Sequence, residues 1–210
     1  MGARFKWLIL PTTILASAAA AFFYTQAKYK DKTGVEDFQL TDLTGNLIDL
    51  HGLSGKKAVV LIAHVSGCPH IEESVPELKL LRDQYEHSGV SFFLINATLE
   101  DDRASLKQKA KDLSIDIPIL KDDTQLTAKK LRLTRASETI VLVPPHWHGS
   151  WAVAYRGAID DRSEFGFDHS TPNHFYLKDA LASIVSGRPV KVSETTAKGC
   201  FINYSDKHDF

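Results

Sequence analysis

The segment Ala58-Val59-Val60-Leu61-Ile62-Ala63 is a continuous apolar run of strand length. It restricts the fold more than any other stretch. A strand with no polar alternation has no face to give to water, so other layers must cover it on both sides. Val90 to Ile95 is the next strand of this kind. Between them, apolar residues fall at Ile71, Val75, Leu78, Leu81 and Tyr85. That is the spacing of one helix face, with Pro76 as a candidate kink. Buried strands alternating with helices predict an α/β sheet with helices on both faces.

The remaining elements fit this frame. Phe38-Gln39-Leu40 and Leu47-Ile48-Asp49-Leu50 flank the turn Thr44-Gly45-Asn46 and predict an N-terminal β-hairpin extension. Asp101 to Leu113 reads as a polar amphipathic helix, Ile117 to Leu120 as a short strand and Thr124 to Leu131 as a short helix. Thr139 to Val143 and Trp151 to Tyr155 read as paired strands. Thr171-Pro172 reads as a helix cap followed by Pro at the first helical position. That helix would carry Leu177, Leu181 and Ile184 on one face and end near Gly187. The chain has 210 residues, enough for one full core without disulfide staples. Its expected organisation is an N-terminal signal peptide or membrane anchor over 1–33, one α/β domain over 34–188 and a C-terminal tail over 189–210.

Arg4 and Lys6 precede Trp7 to Tyr24, a stretch with no charge. A span of roughly 17–25 apolar residues can cross a bilayer, and Ala16 to Ala21 also offers A-x-A sites for signal peptidase. Either reading places the domain outside the cytoplasm, with the membrane as a partner through residues 7–24 if the segment stays uncleaved. No lipobox cysteine follows, which argues against a lipoprotein. The net charge of −1 gives no basic excess for nucleic acid.

Two cysteines are too few for a disulfide scaffold and form no zinc pattern. Cys68 follows the buried strand and opens the helix, so its sulfur would meet the unpaired N–H groups of a first helical turn. That placement favours the thiolate. Pro69 fits the first helical position, and His70 is near enough to add positive charge or a hydrogen bond. The alternative, an inert core cysteine, suits poorly a residue flanked by Ser66, Gly67, Pro69 and His70.

Ser66-Gly67-Cys68-Pro69-His70-Ile71 resembles the thioredoxin-like C-x-x-C loop, with Ile71 standing where the second cysteine would be. The chain is more closely similar to the bacterial redoxin (AhpC/TSA-type) family, in which Cys-Pro opens the helix and Pro-Glu-Leu follows. Here these are Cys68-Pro69 and Pro76-Glu77-Leu78. The resemblance continues in Tyr155 to Asp161, in His174 to Val190 and in Thr196 to Ile202, which carries Gly199-Cys200. It implies a thioredoxin-like sandwich, a central mixed sheet with helices on both faces, and thiol–disulfide oxidoreductase chemistry on protein or small-molecule thiols and disulfides.

With Ile71 in the loop, Cys200 is the remaining candidate to resolve a mixed disulfide formed at Cys68. Three readings stay open: Cys200 resolves, the pair is a static disulfide, or both thiols act independently. In peroxiredoxins a P-x-x-x-T-x-x-C motif positions peroxide; Leu61 and Val65 stand at its Pro and Thr positions, which makes thiol peroxidase a lesser alternative. Thioredoxins carry a cis-proline facing the active cysteine. Ser137 stands there, so Ser137 and Glu138, with Pro69, are the expected substrate-positioning residues.

Nine histidines leave a metal alternative: a copper-handling or assembly factor using Cys68 with His146 and His148 of the loop Pro144 to Gly149. The main expectation is no cofactor, since Glu72 replaces the second cysteine of the copper-delivery C-x-x-x-C motif. His64 reads as a hydrogen-bonded core residue and His174 as structural. The adjacent Asp160 and Asp161 read as a solvated turn.

Overall fold

The computed structural model describes residues 34–144, 150–162 and 171–205. The expected signal or anchor in residues 1–33 and the candidate ligands His146 and His148 lie outside them. Among the described residues no helix is long and apolar enough to cross a membrane.

Seven strands form one mixed sheet. They are β1 (Gln39–Asp42), β2 (Leu47–Asp49), β3 (Ala58–His64), β4 (Val90–Asn96), β5 (Ile119–Lys121), β6 (Thr139–Val143) and β7 (Ala152–Gly157). Their order is β2-β1-β5-β4-β3-β6-β7. The three central strands β5, β4 and β3 are parallel; β6, β7 and the β1–β2 hairpin join antiparallel. Parallel neighbours need crossover connections, and helices supply them. These are α1 (Pro69–Tyr85) between β3 and β4 and α2 (Arg103–Asp112) between β4 and β5, with α3 (Leu126–Lys130) and α4 (Tyr176–Val185) later in the chain.

Every residue of β3 is buried, as its unbroken apolar run requires. Val59, Leu61 and Ala63 pack on one face with Ala128, Leu131, Ile202 and Tyr204. Alternation turns Ala58, Val60 and Ile62 to the other face, the side left for α1 and α4. The five apolar positions that predicted α1 are all buried. The chain beyond α4 belongs to the same core: Val190, Ala197, Ile202 and Tyr204 are buried.

Two local expectations are corrected. The last helix begins at Tyr176, not at Thr171-Pro172. The amides of Asn173 and His174 donate to Asp161 Oδ1 at 2.8 and 3.1 Å, which ties this stretch to the end of β7 before a helix can start. The same contacts overturn the solvated turn at Asp160 and Asp161. Asp161 is buried, and Asp160 forms an ion pair with Arg162 at 2.6 Å with its side chain mostly covered. His174 is structural as expected: its amide holds Asp161 and its ring stacks on Tyr176.

Candidate active site

Cys68 is the residue that caps α1, with extended backbone and Pro69 at the first helical position. The left-handed Gly67 (φ 77°) completes the turn out of β3. Cys68 is bonded to Cys200, with the two Cα atoms 5.9 Å apart, inside the range a disulfide spans. The Cys200 amide also donates to Cys68 Sγ at 3.2 Å. Cys68 is only 1% exposed, whereas Cys200 is partly exposed.

Cys200 reaches this position because the tail is fastened along its course. Beside β7, Arg156 N donates to Ser193 O and Thr195 N to Arg156 O, both at 2.9 Å. The approach is so close that a Cβ on Gly157 would overlap Thr195 Oγ1. The tail then crosses to the segment before β6. Ala136 N donates to Cys200 O at 2.8 Å and Ile202 N to Thr134 O at 3.0 Å, an antiparallel bridge centred on Arg135 and Phe201. Gly199 permits this approach: a Cβ there would overlap the Ala136 carbonyl oxygen. The Arg135 guanidinium lies 3.8 Å from the centre of the Phe201 ring. Beyond, Tyr204 donates to Leu133 O at 2.6 Å, and the Gln125 side chain bonds the backbone of Asn203 and Ser205.

The other expected residues distribute around this bond. Pro69 is exposed at the helix start, and His70 lines a small cleft with Ser74, Ser137, Asp160 and the tail residue Lys198. Ser137 stands where a cis-proline was expected from thioredoxins; no cis peptide bond occurs among the described residues. Ser137 takes a left-handed conformation instead (φ 66°), unusual for a residue with a Cβ. Its amide donates to Ala63 O at 2.9 Å, while its buried hydroxyl finds no partner among the described residues. Glu138 does not face the cleft as an open carboxylate. It pairs with Arg156 at 2.9 Å and accepts from the Thr134 amide and hydroxyl, so it holds the loop that receives the tail. In this oxidised state the Cys68 sulfur is bonded to Cys200 and cannot serve as a thiolate metal ligand.

A polar network beneath the loop was not legible in the sequence. Asn96 Nδ2 donates to Asp101 Oδ2 at 2.8 Å and lies 3.3 Å from His64 Nδ1, and Lys121 Nζ donates to Asn96 Oδ1 at 3.1 Å. All four residues are buried. Burial pushes the His64 imidazole down to about 4, with Asp101 opposing and Lys109 adding to the shift. The unfolded chain therefore binds a proton between pH 6.5 and about 4 that the folded chain refuses. His64 contributes no penalty above pH 6.5, and stability falls as pH drops through that window, by an amount on the order of 3 kcal/mol. Urea unfolding at pH 7 and pH 4 reads this loss. A His64→Gln variant with an equally steep acid loss would assign it to other groups.

The AhpC/TSA family model matches residues 32–159, well over half of the chain. The chain belongs to the AhpC/TSA family. No curated protein matches at a significant level. Among solved structures, an uncharacterized conserved protein from Geobacillus kaustophilus is 26% identical with a TM-score of 0.72, covering 83% of this chain and 92% of its own. A hypothetical protein, SMc02350 from Sinorhizobium meliloti 1021, is 22% identical with a TM-score of 0.71, covering 82% and 93%. MTB dsbF, solved in its mixed oxidized and reduced forms, is 16% identical with a TM-score of 0.53, covering 70% and 94%. The fold is thioredoxin-like with an N-terminal hairpin, and the family marks this redoxin as an oxidoreductase.

Proposed function

We propose that this redoxin is an extracytoplasmic thiol–disulfide oxidoreductase whose redox centre is the Cys68–Cys200 pair, cycling between dithiol and disulfide. The observation that carries the reading is the bond itself. It joins the first turn of α1 to a partly exposed tail residue 132 positions away. A helix N-terminus stabilises thiolate, so Cys68 is suited to leave and to rejoin a disulfide. The uncharged segment 7–24 supports a location where such a bond persists. Substrates would be protein or small-molecule thiols and disulfides.

Thiol labelling of the purified full chain across a dithiothreitol redox series tests it. The expected result is one two-electron transition in which both cysteines become labelled together, at a potential above the roughly −300 mV of structural disulfides. A bond that resists reduction well below that potential, in a protein that turns over no disulfide substrate, would leave the pair as a static staple.

A further inference from the structure

Displacement at a disulfide runs along the sulfur–sulfur axis, with the incoming thiolate entering opposite the sulfur that leaves, and access decides which sulfur is attacked. Cys68 is 1% exposed, closed in by the core below and by the tail above. A thiolate arriving from solvent has no route to it. Cys200, by contrast, is partly exposed.

The leaving groups agree with access. Attack at Cys200 expels Cys68, whose sulfur lies at the N-terminus of a 17-residue helix and receives the Cys200 N–H at 3.2 Å. Both features stabilise the departing negative charge. Attack at Cys68 would expel Cys200 into an extended tail without a helix terminus of its own. The tail also stays in place when the bond opens. Bonds to Ala136, Thr134 and Leu133 hold it at and beyond Cys200, and Arg156 holds Ser193 and Thr195 before it, so the N–H that supports the Cys68 thiolate remains where it is.

We infer that Cys200 is the sulfur that exchanges with outside molecules, and that Cys68 is the internal sulfur that closes and opens the ring. This deepens the oxidoreductase reading and rests on it. It reverses the roles expected from the sequence, where Cys68 attacks and Cys200 resolves, because burial removes Cys68 from solvent. In the reductive step the partner is a dithiol. Its first thiolate bonds to Cys200 Sγ, the Cys68–Cys200 bond breaks, and Cys68 leaves with the electron pair as a thiolate. The partner's second thiol, deprotonated, then attacks the partner's own sulfur in the mixed disulfide and expels Cys200, which takes up a proton. The partner is oxidised by two electrons and this chain is reduced by two. With a substrate disulfide the reduced chain runs the sequence backwards: Cys200 attacks, and Cys68 displaces the substrate thiol from Cys200.

The test traps the mixed disulfide in the full-length oxidised protein. The probe is a thioredoxin-type protein whose second active-site cysteine is replaced by serine, with N-ethylmaleimide quenching and mass spectrometry of the linked peptides. The expected adduct joins the probe to Cys200, with Cys68 alkylated. As a second measurement, reduced Cys68→Ser and Cys200→Ser variants react with dithiobis-nitrobenzoate. The variant that keeps Cys200 should react at least about tenfold faster. A probe adduct on Cys68, or equal or faster reaction of the variant that keeps Cys68, overturns the assignment. If the parent turns over disulfides while the adduct forms on Cys68, only the order of the sulfurs fails. If the parent turns over none, the oxidoreductase reading fails and this inference with it.

Discussion

Reduction of the Cys68–Cys200 bond is expected to lower the unfolding free energy by about 5 kcal/mol at pH 5, because the bond closes a loop of 132 residues and removes that much chain entropy from the unfolded state. The loop term does not depend on pH. At higher pH a second effect opposes it. The folded protein favours the Cys68 thiolate through the α1 terminus and the Cys200 N–H, and the unfolded chain does not. The reduced form is therefore stabilised as pH rises through the folded-state titration of Cys68, and the gap between oxidised and reduced forms narrows. Denaturant titrations of both forms at pH 5 and pH 8 measure the two contributions separately. The gap at pH 5 gives the loop term, and its decrease by pH 8 gives the stabilisation of the thiolate. A gap that does not shrink would mean that the burial of Cys68 cancels what the helix terminus does for its thiolate, which would remove the reason for Cys68 to be the leaving group.

What the sequence made legible follows the range of the interactions involved. β3 and α1 were readable because each is specified by its own residues: an unbroken apolar run for the strand, and Ile71, Val75, Leu78, Leu81 and Tyr85 at helical spacing for the helix. The position of Cys68 at their junction follows from the two together. The start of the last helix was misplaced because Thr171-Pro172 has the local form of a cap, whereas the backbone there answers to Asp161 more than ten residues earlier. Nothing local to Asp160-Asp161 signals burial either, since their partners arrive through folding.

The same distinction separates the two halves of the site. The tail carries few helical or strand signals of its own, and its course is set by backbone and side-chain hydrogen bonds to residues 125–136 and to β7. Gly199 permits the close approach, and its partner, the Ala136 carbonyl, is 63 positions earlier. Ser137 and Glu138 were expected near the sulfurs by analogy with the proline of thioredoxins. What the structure gives them is other work: Glu138 anchors Arg156 and Thr134, and Ser137 turns the backbone through a left-handed conformation. The buried His64, Asn96, Asp101 and Lys121 come from three strands and a loop, and no spacing in the sequence brings them together.

Gly199→Val is expected to separate the two cysteines while leaving the sheet and helices folded. The Cβ at this position would overlap the Ala136 carbonyl oxygen, a backbone atom in the turn that enters β6. That atom cannot retreat cheaply, because Ala136 N holds Cys200 O and the neighbouring Ser137 N holds Ala63 O. The tail must lift instead, which breaks the bridge between Arg135 and Phe201 and carries Cys200 away from Cys68. Their Cα atoms stand 5.9 Å apart, and a shift of little more than 1 Å exhausts the roughly 7 Å limit for a disulfide. Most of the purified variant should therefore label at both cysteines without reductant, and disulfide turnover should fall about 100-fold, the usual penalty for misplacing a reacting group by an ångström. Circular dichroism should keep its parental form, since the three atoms nearest that Cβ all belong to Ala136, outside the strands and helices. Gly55→Ala is the matched control: a Cβ there meets nothing within 4 Å, and its labelling and turnover should equal the parent's. If Gly199→Val retains an oxidised pair and parental turnover, the tail has a second way to present Cys200, and its fastening to residues 134–136 is not what positions the redox centre.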